Sequence, residues 1–291
     1  MQSGAGHLYV GARITTNMII DGHAHACGPF LRAEGIVQAL DAAGADRVVL
    51  VSGEADSERT YSLPRVARRF PNTDVVAWTN RLTRAVIALT GGARHIAPGN
   101  EHVYRLSQEL PDRVIPFHWV SLNRQVHLGV LERLYDEQRF RGLKLHQCWE
   151  RFRVCSENFE AVMSWAEQKG LPVFIHLYDR RGVRELIDYL RHHPDAKVIV
   201  GHLFGLEDYI ASGLRFERVV FDTSTHELVS TQRILEAIEH FGVQQVVMGS
   251  DTPYARDALR LAIERVRSLP LSDPEKDSIL GENLRRLLET C

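Results

Sequence analysis

The strongest constraint on the fold is a regular alternation, from Met18 onwards, of short β-branched runs with longer segments whose apolar residues have helical spacing. Such alternation is typical of βα units whose strands form one parallel sheet. The predicted strands cover residues 18–26, 46–52, 114–122, 142–147, 172–178, 197–203, 218–223 and 245–251. The clearest helical segments cover residues 34–43, 126–139, 158–169, 183–191 and 232–241, and Gly170 should end the third of them in a left-handed conformation. Eight strands with intervening helices predict a closed (β/α)8 barrel, an α/β fold in which residues 18–291 form a single domain.

Two segments do not fit the regular alternation. Residues 1–17 have mixed polarity and no sustained period, so we interpret them as an N-terminal extension. Between strands two and three, residues 53–99 replace the usual short loop and include a helical stretch around Leu82 to Leu89 and the pair Gly91-Gly92. A long excursion after the carboxyl end of a barrel strand is either a lid over the active site or a stabilising insertion. The sequence favours neither interpretation.

Composition excludes several kinds of partner. Lys and Arg number 35 and Asp and Glu number 37, so a formal charge of −2 provides no basic surface for nucleic acid or an anionic membrane. No stretch approaches the roughly 20 apolar residues of a membrane-spanning helix, and the N-terminus lacks the pattern of a secretory signal. Four cysteines in 291 residues do not form a disulfide framework, which is typical of a reducing compartment. We expect a cytoplasmic protein that acts on a small molecule, and a homo-oligomer is compatible with these features.

Histidine is unusually frequent, at 14 residues, and several histidines fall at the predicted carboxyl ends of strands. In a barrel of this kind the catalytic groups lie at that rim. The polar residues at these strand ends are His23, His25, Lys144, His146, His176, His202, Asp222 and Asp251. Any one of them could be a buried structural histidine or a helix-capping aspartate. Chance does not explain polar residues at so many strand ends, so we expect a functional site at this rim.

His23 and His25 form an H-x-H pair on the first strand, and the period of two directs both side chains toward the barrel axis. Two imidazoles at this separation can take adjacent positions on one divalent cation. His176 could add a third nitrogen and Asp251 a carboxylate oxygen. This donor set predicts one divalent metal ion, with zinc as the default and manganese, iron or cobalt as realistic alternatives. Cys27 is close in sequence, but we interpret it as a small buried residue because Asp251 already supplies the charge.

Six segments carry a family resemblance: IIDGHAHACG, GLKLHQ, PVFIHLYD, VIVGHL, GSDTPY and ILGENLRRLL. Together they resemble the amidohydrolase superfamily, in particular the amidohydrolase-related (amidohydrolase 2) branch of metal-dependent TIM-barrel enzymes, over nearly all of residues 18–288. The resemblance implies that His23, His25 and His176 are metal ligands. It implies that Asp251 holds the metal or its water, and that His202 orients or deprotonates the water or polarises the substrate.

The resemblance implies an enzyme but leaves the reaction open, since this branch contains hydrolases of amides and lactones, decarboxylases and hydratases. We predict a metal-dependent hydrolase in which a metal-activated water attacks a small amide, lactone or related carbonyl substrate and Asp251 and His202 manage its proton. The alternative is a metal-dependent decarboxylase of a small carboxylic acid, such as an aromatic one. That site would need further cations, for which Arg32, Arg81 and Arg84 are candidates. A catalytically inactive barrel is set aside because the ligand set is complete.

Lys144 is ambiguous. In several relatives with two metals, a lysine on strand four is carbamylated and bridges the ions, whereas in the single-metal branch an unmodified lysine can bind a substrate carboxylate. We favour one metal and an unmodified Lys144. His146, Tyr178 and His118 are further candidates for substrate contacts, and a structural hydrogen bond is an equal alternative for each.

Overall fold

A computed structural model describes residues 18–54, 57–62, 64–90 and 96–289, so the N-terminal extension and the Gly91-Gly92 pair lie outside the described residues. The strands are β1 (Ile20–His25), β2 (Arg47–Val51), β3 (Val114–Trp119), β4 (Gly142–His146), β5 (Val173–His176), β6 (Val198–Val200), β7 (Val219–Asp222) and β8 (Val246–Val247). The helices are α1 (Ala33–Ala43), α2 (Val66–Arg69), α3 (Val76–Thr90), α4 (Ile96–Glu109), α5 (Leu128–Gln138), α6 (Glu157–Gln168), α7 (Arg180–His192), α8 (Leu206–Ala211), α9 (Thr231–Phe241), α10 (Ala258–Arg267), α11 (Asp273–Asp277) and α12 (Asn283–Glu289).

The eight strands form one sheet in sequence order, and each pair of neighbours from β1 to β8 is parallel. Residues that follow β8 close the sheet against β1. The Gly22 N–H donates to the Met248 carbonyl at 2.9 Å, and the His25 N–H donates to the Thr252 carbonyl at 2.8 Å. The predicted (β/α)8 TIM barrel is therefore confirmed.

The predicted strands run a few residues too long at the site. β6 ends at Val200 because residues 201–203 form a 3₁₀ turn in which His202 has a φ of 59°. β8 ends at Val247, and Asp251 beyond it has a φ of 56°. The apolar pattern continues through both turns, so it does not reveal where the backbone leaves the sheet. The predicted stop at Gly170 is confirmed by its φ of 66°.

Apolar side chains form one layer inside the barrel and a second layer between the strands and the helices. The barrel interior is filled by side chains of alternate strand residues, and α12 adds Leu284 and Leu287 near the amino-terminal end of β1. The other strand residues pack outward against the helices in a larger cluster. Because apolar side chains fill the amino-terminal part of the barrel, the buried histidines cluster at the carboxyl ends of the strands. None of the helices that the structure describes has the length and apolar character needed to cross a membrane.

The insertion after β2 packs on the carboxyl rim. The Tyr61 N–H donates to the Pro253 carbonyl at 2.9 Å, beyond β8, and the Ala67 N–H donates to the Glu227 carbonyl at 2.8 Å, beyond β7. Just before α3, the Asp74 carboxylate accepts a 2.7 Å hydrogen bond from the backbone N–H that follows β6 at Gly205. These bonds hold α3 over the end of the barrel at which the predicted site residues lie.

One buried ion cluster ties this insertion to α8 and α9. The Arg233 side chain is 2% exposed, binds Glu207 and lies 3.6 Å from Asp74. We expect Arg233→Met to lower the free energy of unfolding by about 3 kcal/mol, because removing one partner leaves buried charge uncompensated. Urea denaturation would measure the change. Arg260→Met is the control, since Arg260 pairs with Glu264 on the surface of α10 and should matter far less. Equal losses for the two variants would contradict the assignment.

Candidate active site

Asp251 lies at the centre of the rim, between histidines from two sides. Its Oδ1 is 3.5 Å from His23 Nε2 and 3.3 Å from His25 Nε2. Its Oδ2 is 4.0 Å from His202 Nε2. The β1 pair faces inward together, as the period of two requires. His202 and Asp251 reach the same point because their left-handed backbone turns redirect them after β6 and β8.

Hydrogen bonds on the far side of each ring determine which nitrogen faces Asp251. His25 Nδ1 lies 2.8 Å from the Ser52 carbonyl and His202 Nδ1 lies 2.8 Å from the Ser224 carbonyl. A carbonyl only accepts, so both rings carry hydrogen on Nδ1, and the neutral form of each ring presents the Nε2 lone pair toward Asp251.

His23 is fixed through a hydroxyl. The Ser224 hydroxyl donates to Asp222 Oδ2 at 2.5 Å, so its oxygen is free to accept from His23 Nδ1, 3.1 Å away. His23 therefore also presents an unprotonated Nε2. Burial lowers the pKa of His23 well below its usual range, which favours this neutral form.

These atoms fit a divalent cation. Asp251 Oδ1 is buried without a hydrogen-bond partner, and in their neutral tautomers the nitrogens around it would present lone pairs to a cation. Ligand atoms of His23, His25 and Asp251 all lie within 4.8 Å of one another. Two imidazole nitrogens and one carboxylate oxygen match the donors that zinc and related ions take.

His176 reaches the site from a different direction. Its Nδ1 lies 2.9 Å from His202 Nε2, and its Nε2 lies 2.8 Å from the Asn80 side-chain oxygen. Its ring stacks on His146, with 3.9 Å between the ring centres. His146 also stacks on Trp119, with 5.4 Å between the ring centres. His176 is thus next to His202, outside the close group of His23, His25 and Asp251. Two further groups of donors lie as close to one another: His23 with His202 and Asp222, and His146 with Cys148 and His176.

Lys144 lies beneath the first-strand histidines. Its Nζ is 2.9 Å from His23 Nε2 and 3.8 Å from the centre of the Phe174 ring. Complete burial lowers the pKa of Lys144 to about 7.

A cavity of about 270 Å³ opens above these groups. Most of its walls are apolar, and α3 contributes Thr83, Val86 and Ile87. On another wall, Tyr61 stacks on Tyr254 at 5.5 Å and its hydroxyl donates to Glu54 at 2.7 Å. Within the described part of the chain, the lining contains no lysine or arginine.

Several sequence candidates lie elsewhere. His118 points outward from β3, where it stacks on Phe140 at 4.9 Å, because its neighbours Phe117 and Trp119 take the inward positions. The expectation that His118 contacts substrate is therefore corrected: His118 is a structural residue. Tyr178 is at the rim, with the Arg84 guanidinium 3.1 Å from its ring centre, and it does not line the cavity.

The other candidate groups have ordinary structural partners. Arg32 forms an exposed pair with Glu58 at 2.7 Å, and Arg81 is exposed. Asp222 accepts hydrogen bonds from the backbone N–H groups of His202 and Ser224. Cys27 is buried, and burial raises the pKa of its thiol to about 12.

Sequence reasoning missed the groups that orient the site histidines. Ser224 follows a recognised strand end and could have been suspected from its neighbour Asp222. Asn80 is separated from His176 by 96 positions and lies on α3, where no local pattern distinguishes it. Glu54 and Tyr61 carry no motif of their own, whereas Tyr254 ends the GSDTPY segment and could have been suspected from it.

Comparison with known proteins now adds the family. Residues 83–290 match the family model described as Amidohydrolase. The chain belongs to the amidohydrolase family. The predicted resemblance is confirmed, and the protein is an enzyme of a family that acts on small molecules. A comparison with the sequences of curated proteins gives no match.

Solved structures share the fold at low identity. A 4-oxalomesaconate hydratase from Rhodopseudomonas palustris is 16% identical with a TM-score of 0.64, covering 93% of this chain and 95% of its own. A probable 2-pyrone-4,6-dicarboxylic acid hydrolase from Acinetobacter baumannii is 15% identical with a TM-score of 0.67, covering 94% and 99%. A 5-carboxyvanillate decarboxylase from Sphingomonas paucimobilis is 15% identical with a TM-score of 0.63, covering 95% and 100%. At these identities the likeness establishes the barrel and not the reaction.

We expect Lys144 to remain unmodified. Its nitrogen lies over the face of Phe174, which attracts a cation and would repel a carbamate anion. Carbon NMR after equilibration with ¹³C-bicarbonate should show no lysine carbamate. A carbamate signal that disappears in Lys144→Met would contradict this expectation and indicate a bridged pair of ions.

Proposed function

We propose that the protein is a metal-dependent hydrolase of small amides, lactones or related carbonyl compounds. The observation that carries the proposal is the buried Asp251 carboxylate, which lies 3.3 to 4.0 Å from the Nε2 atoms of His23, His25 and His202 at the floor of an apolar cavity. In this proposal His23, His25, His176 and Asp251 hold one divalent ion, with zinc as the first choice. A cytoplasmic location completes the proposal, and it rests on cysteine usage.

The residues of the site would then have separate roles in catalysis. A divalent ion lowers the pKa of water toward about 7 and polarises a carbonyl oxygen. Asp251 Oδ1 would accept the proton of the attacking water and return it to the leaving group. His202, whose Nδ1–H is held by the Ser224 carbonyl, would keep Nε2 free to orient the water or the carbonyl. His146, which lines the cavity, is proposed as a substrate contact.

The charges around the cavity favour hydrolysis of an uncharged substrate over decarboxylation. A carboxylated substrate needs a cation beside it, and the described lining offers none, whereas Glu54 places a carboxylate there. Lys144 lies below His23 and does not line the cavity. We also propose that α3 is a lid that determines part of the substrate specificity, since six of its residues line the cavity.

The first test is the metal itself. Purified protein should contain close to one transition-metal equivalent by elemental analysis, and His25→Ala should lose most of it. His118→Ala is the matched control, because that ring lies on the outside of β3 and should leave the metal content unchanged. Full activity in protein stripped of metal would refute the proposal.

The second test concerns the proton. Asp251→Asn should lose at least about a hundredfold in kcat, since positioned acid–base catalysis contributes roughly 10² to 10⁴. His202→Asn should lower kcat while the metal is retained, because His202 is assigned to water and substrate. Steady-state kinetics with elemental analysis of each variant would measure both effects. Near-normal turnover of Asp251→Asn would remove Asp251 from the catalytic role.

The third test separates the two reactions. Substrates found in a screen of lactones, amides and aromatic acids should be turned over in ¹⁸O-water, with mass spectrometry of the product. Hydrolysis should place one ¹⁸O atom in the new carboxylate. Release of carbon dioxide without incorporation of solvent oxygen would establish the decarboxylase alternative instead.

A further inference from the structure

Asn80 is the residue of α3 that contacts a site histidine directly. Its side chain is 2% exposed. The amide nitrogen lies 2.9 Å from the Leu177 carbonyl and 2.9 Å from the Tyr178 carbonyl, while the amide oxygen lies 2.8 Å from His176 Nε2. Carbonyl oxygens only accept, so both hydrogens of the amide are engaged with the backbone that follows β5. The orientation of the amide is therefore fixed, with its oxygen toward His176.

This orientation decides the tautomer of His176. Because an amide oxygen only accepts, His176 must carry hydrogen on Nε2 and a lone pair on Nδ1. His202 carries hydrogen on Nδ1, which donates to the Ser224 carbonyl, and a lone pair on Nε2. The two unprotonated nitrogens lie 2.9 Å apart. Two lone pairs at this distance repel each other unless a cation or a proton compensates them.

Without the Asn80 oxygen, the opposite tautomer would be preferred. His176 could then carry hydrogen on Nδ1 and donate it to His202 Nε2, which would turn the repulsion into an ordinary hydrogen bond. That hydrogen bond would occupy His176 Nδ1 and His202 Nε2, so His176 could not bind a cation through Nδ1. Asn80 thus keeps His176 in the form that can bind a cation but is disfavoured in its absence.

We propose that Asn80 is a positioning residue that selects the cation-binding tautomer of His176 and thereby couples docking of α3 to occupancy of the metal centre. The coupling rests on the proposed function, since it assumes that His176 is a ligand. Coupling is reciprocal: if docked α3 raises the affinity for the ion, the ion stabilises docked α3 by the same factor. The insertion would then contribute to metal binding as well as forming a wall of the cavity.

The tautomer is tested first, in metal-free protein, by ¹⁵N NMR of histidine-labelled samples. His176 is assigned by the signals that disappear in His176→Gln. Wild-type protein should show His176 with hydrogen on Nε2, and Asn80→Leu, which keeps the size but loses the acceptor, should show hydrogen on Nδ1. Wild-type protein with hydrogen on Nδ1 of His176 would overturn the proposal, and this readout does not depend on any variant of Asn80.

Affinity is tested next, by competition between apoprotein and a chelator for Zn²⁺. Asn80→Leu should bind about 10- to 100-fold more weakly, the usual effect of losing a group that orients a ligand. Thr83→Val is the matched control, because Thr83 lies one turn along α3 and lines the cavity without a bond to His176. Unchanged affinity in Asn80→Leu would overturn the proposal.

Hydrogen exchange tests the coupling. Zn²⁺ should slow amide exchange in α3 of wild-type protein and of Thr83→Val, and should do so far less in Asn80→Leu. Equal protection of α3 in all three proteins would overturn the coupling. If wild-type protein bound no Zn²⁺ at all, the proposed function would fail. The tautomer would still report on Asn80, so the two failures are distinguishable.

Discussion

The hydrogen bond from the Asp251 N–H to the His23 carbonyl, at 2.6 Å, is the interaction on which the site depends. It joins the segment after β8 to β1, so it closes the barrel and places the Asp251 carboxylate beside the H-x-H pair in a single step. Close packing makes this possible: a Cβ at Gly249 would lie 2.2 Å from Asp222 Oδ1 and 3.0 Å from the His23 Cβ. Beneath it, Ser250 donates from both its N–H and its hydroxyl to Asp21, which anchors the turn. Barrel closure and site geometry are therefore the same structural feature.

A second layer of polar groups makes this arrangement specific. Either nitrogen of a neutral imidazole can carry the hydrogen. A ring whose protonated nitrogen faces a cation cannot act as a ligand to it. Backbone carbonyls and the Ser224 hydroxyl, which is itself oriented by Asp222, resolve that choice for the histidines of β1 and for His202. The result is a buried group of acceptor atoms around one carboxylate, with the Lys144 amine, 2.9 Å from His23 Nε2, as a neighbouring donor. Fold and cation are thus complementary, since the fold supplies the acceptors and the cation relieves their repulsion.

The sequence predicts the barrel and the rim well, because both follow from periodicity. Strand alternation fixes which face His23 and His25 share, and it could equally have placed His118 on the outer face, since Phe117 and Trp119 flank it at inward positions. What periodicity cannot show is where the backbone leaves the sheet: His202 and Asp251 reach the site through left-handed turns inside segments that look like continuous strand. Nor can it show contacts between distant segments. Asn80 meets His176 only because the insertion folds back over the rim, and that geometry is set by backbone hydrogen bonds with no sequence signature.

The way α3 is held gives it a distinct role. Much of its apolar surface is in solvent, with Trp78 56%, Leu82 68% and Leu89 88% exposed, so apolar packing contributes little to its docking. Polar contacts hold it instead, through Asn80 in its first turns and through the Arg84 guanidinium, which donates to the Gln147 carbonyl at 2.7 Å. Each hydrogen bond contributes about 1 kcal/mol net to stability. Displacing α3 therefore costs far less free energy than disturbing the barrel. This helix, which covers the cavity, should therefore be easier to displace than a barrel strand, and its inner face carries the Asn80 oxygen that contacts His176 and an apolar wall of the cavity. If α3 is the proposed lid, its opening would admit substrate and loosen the proposed metal centre together, because Asn80 on this insertion contacts His176 of the barrel.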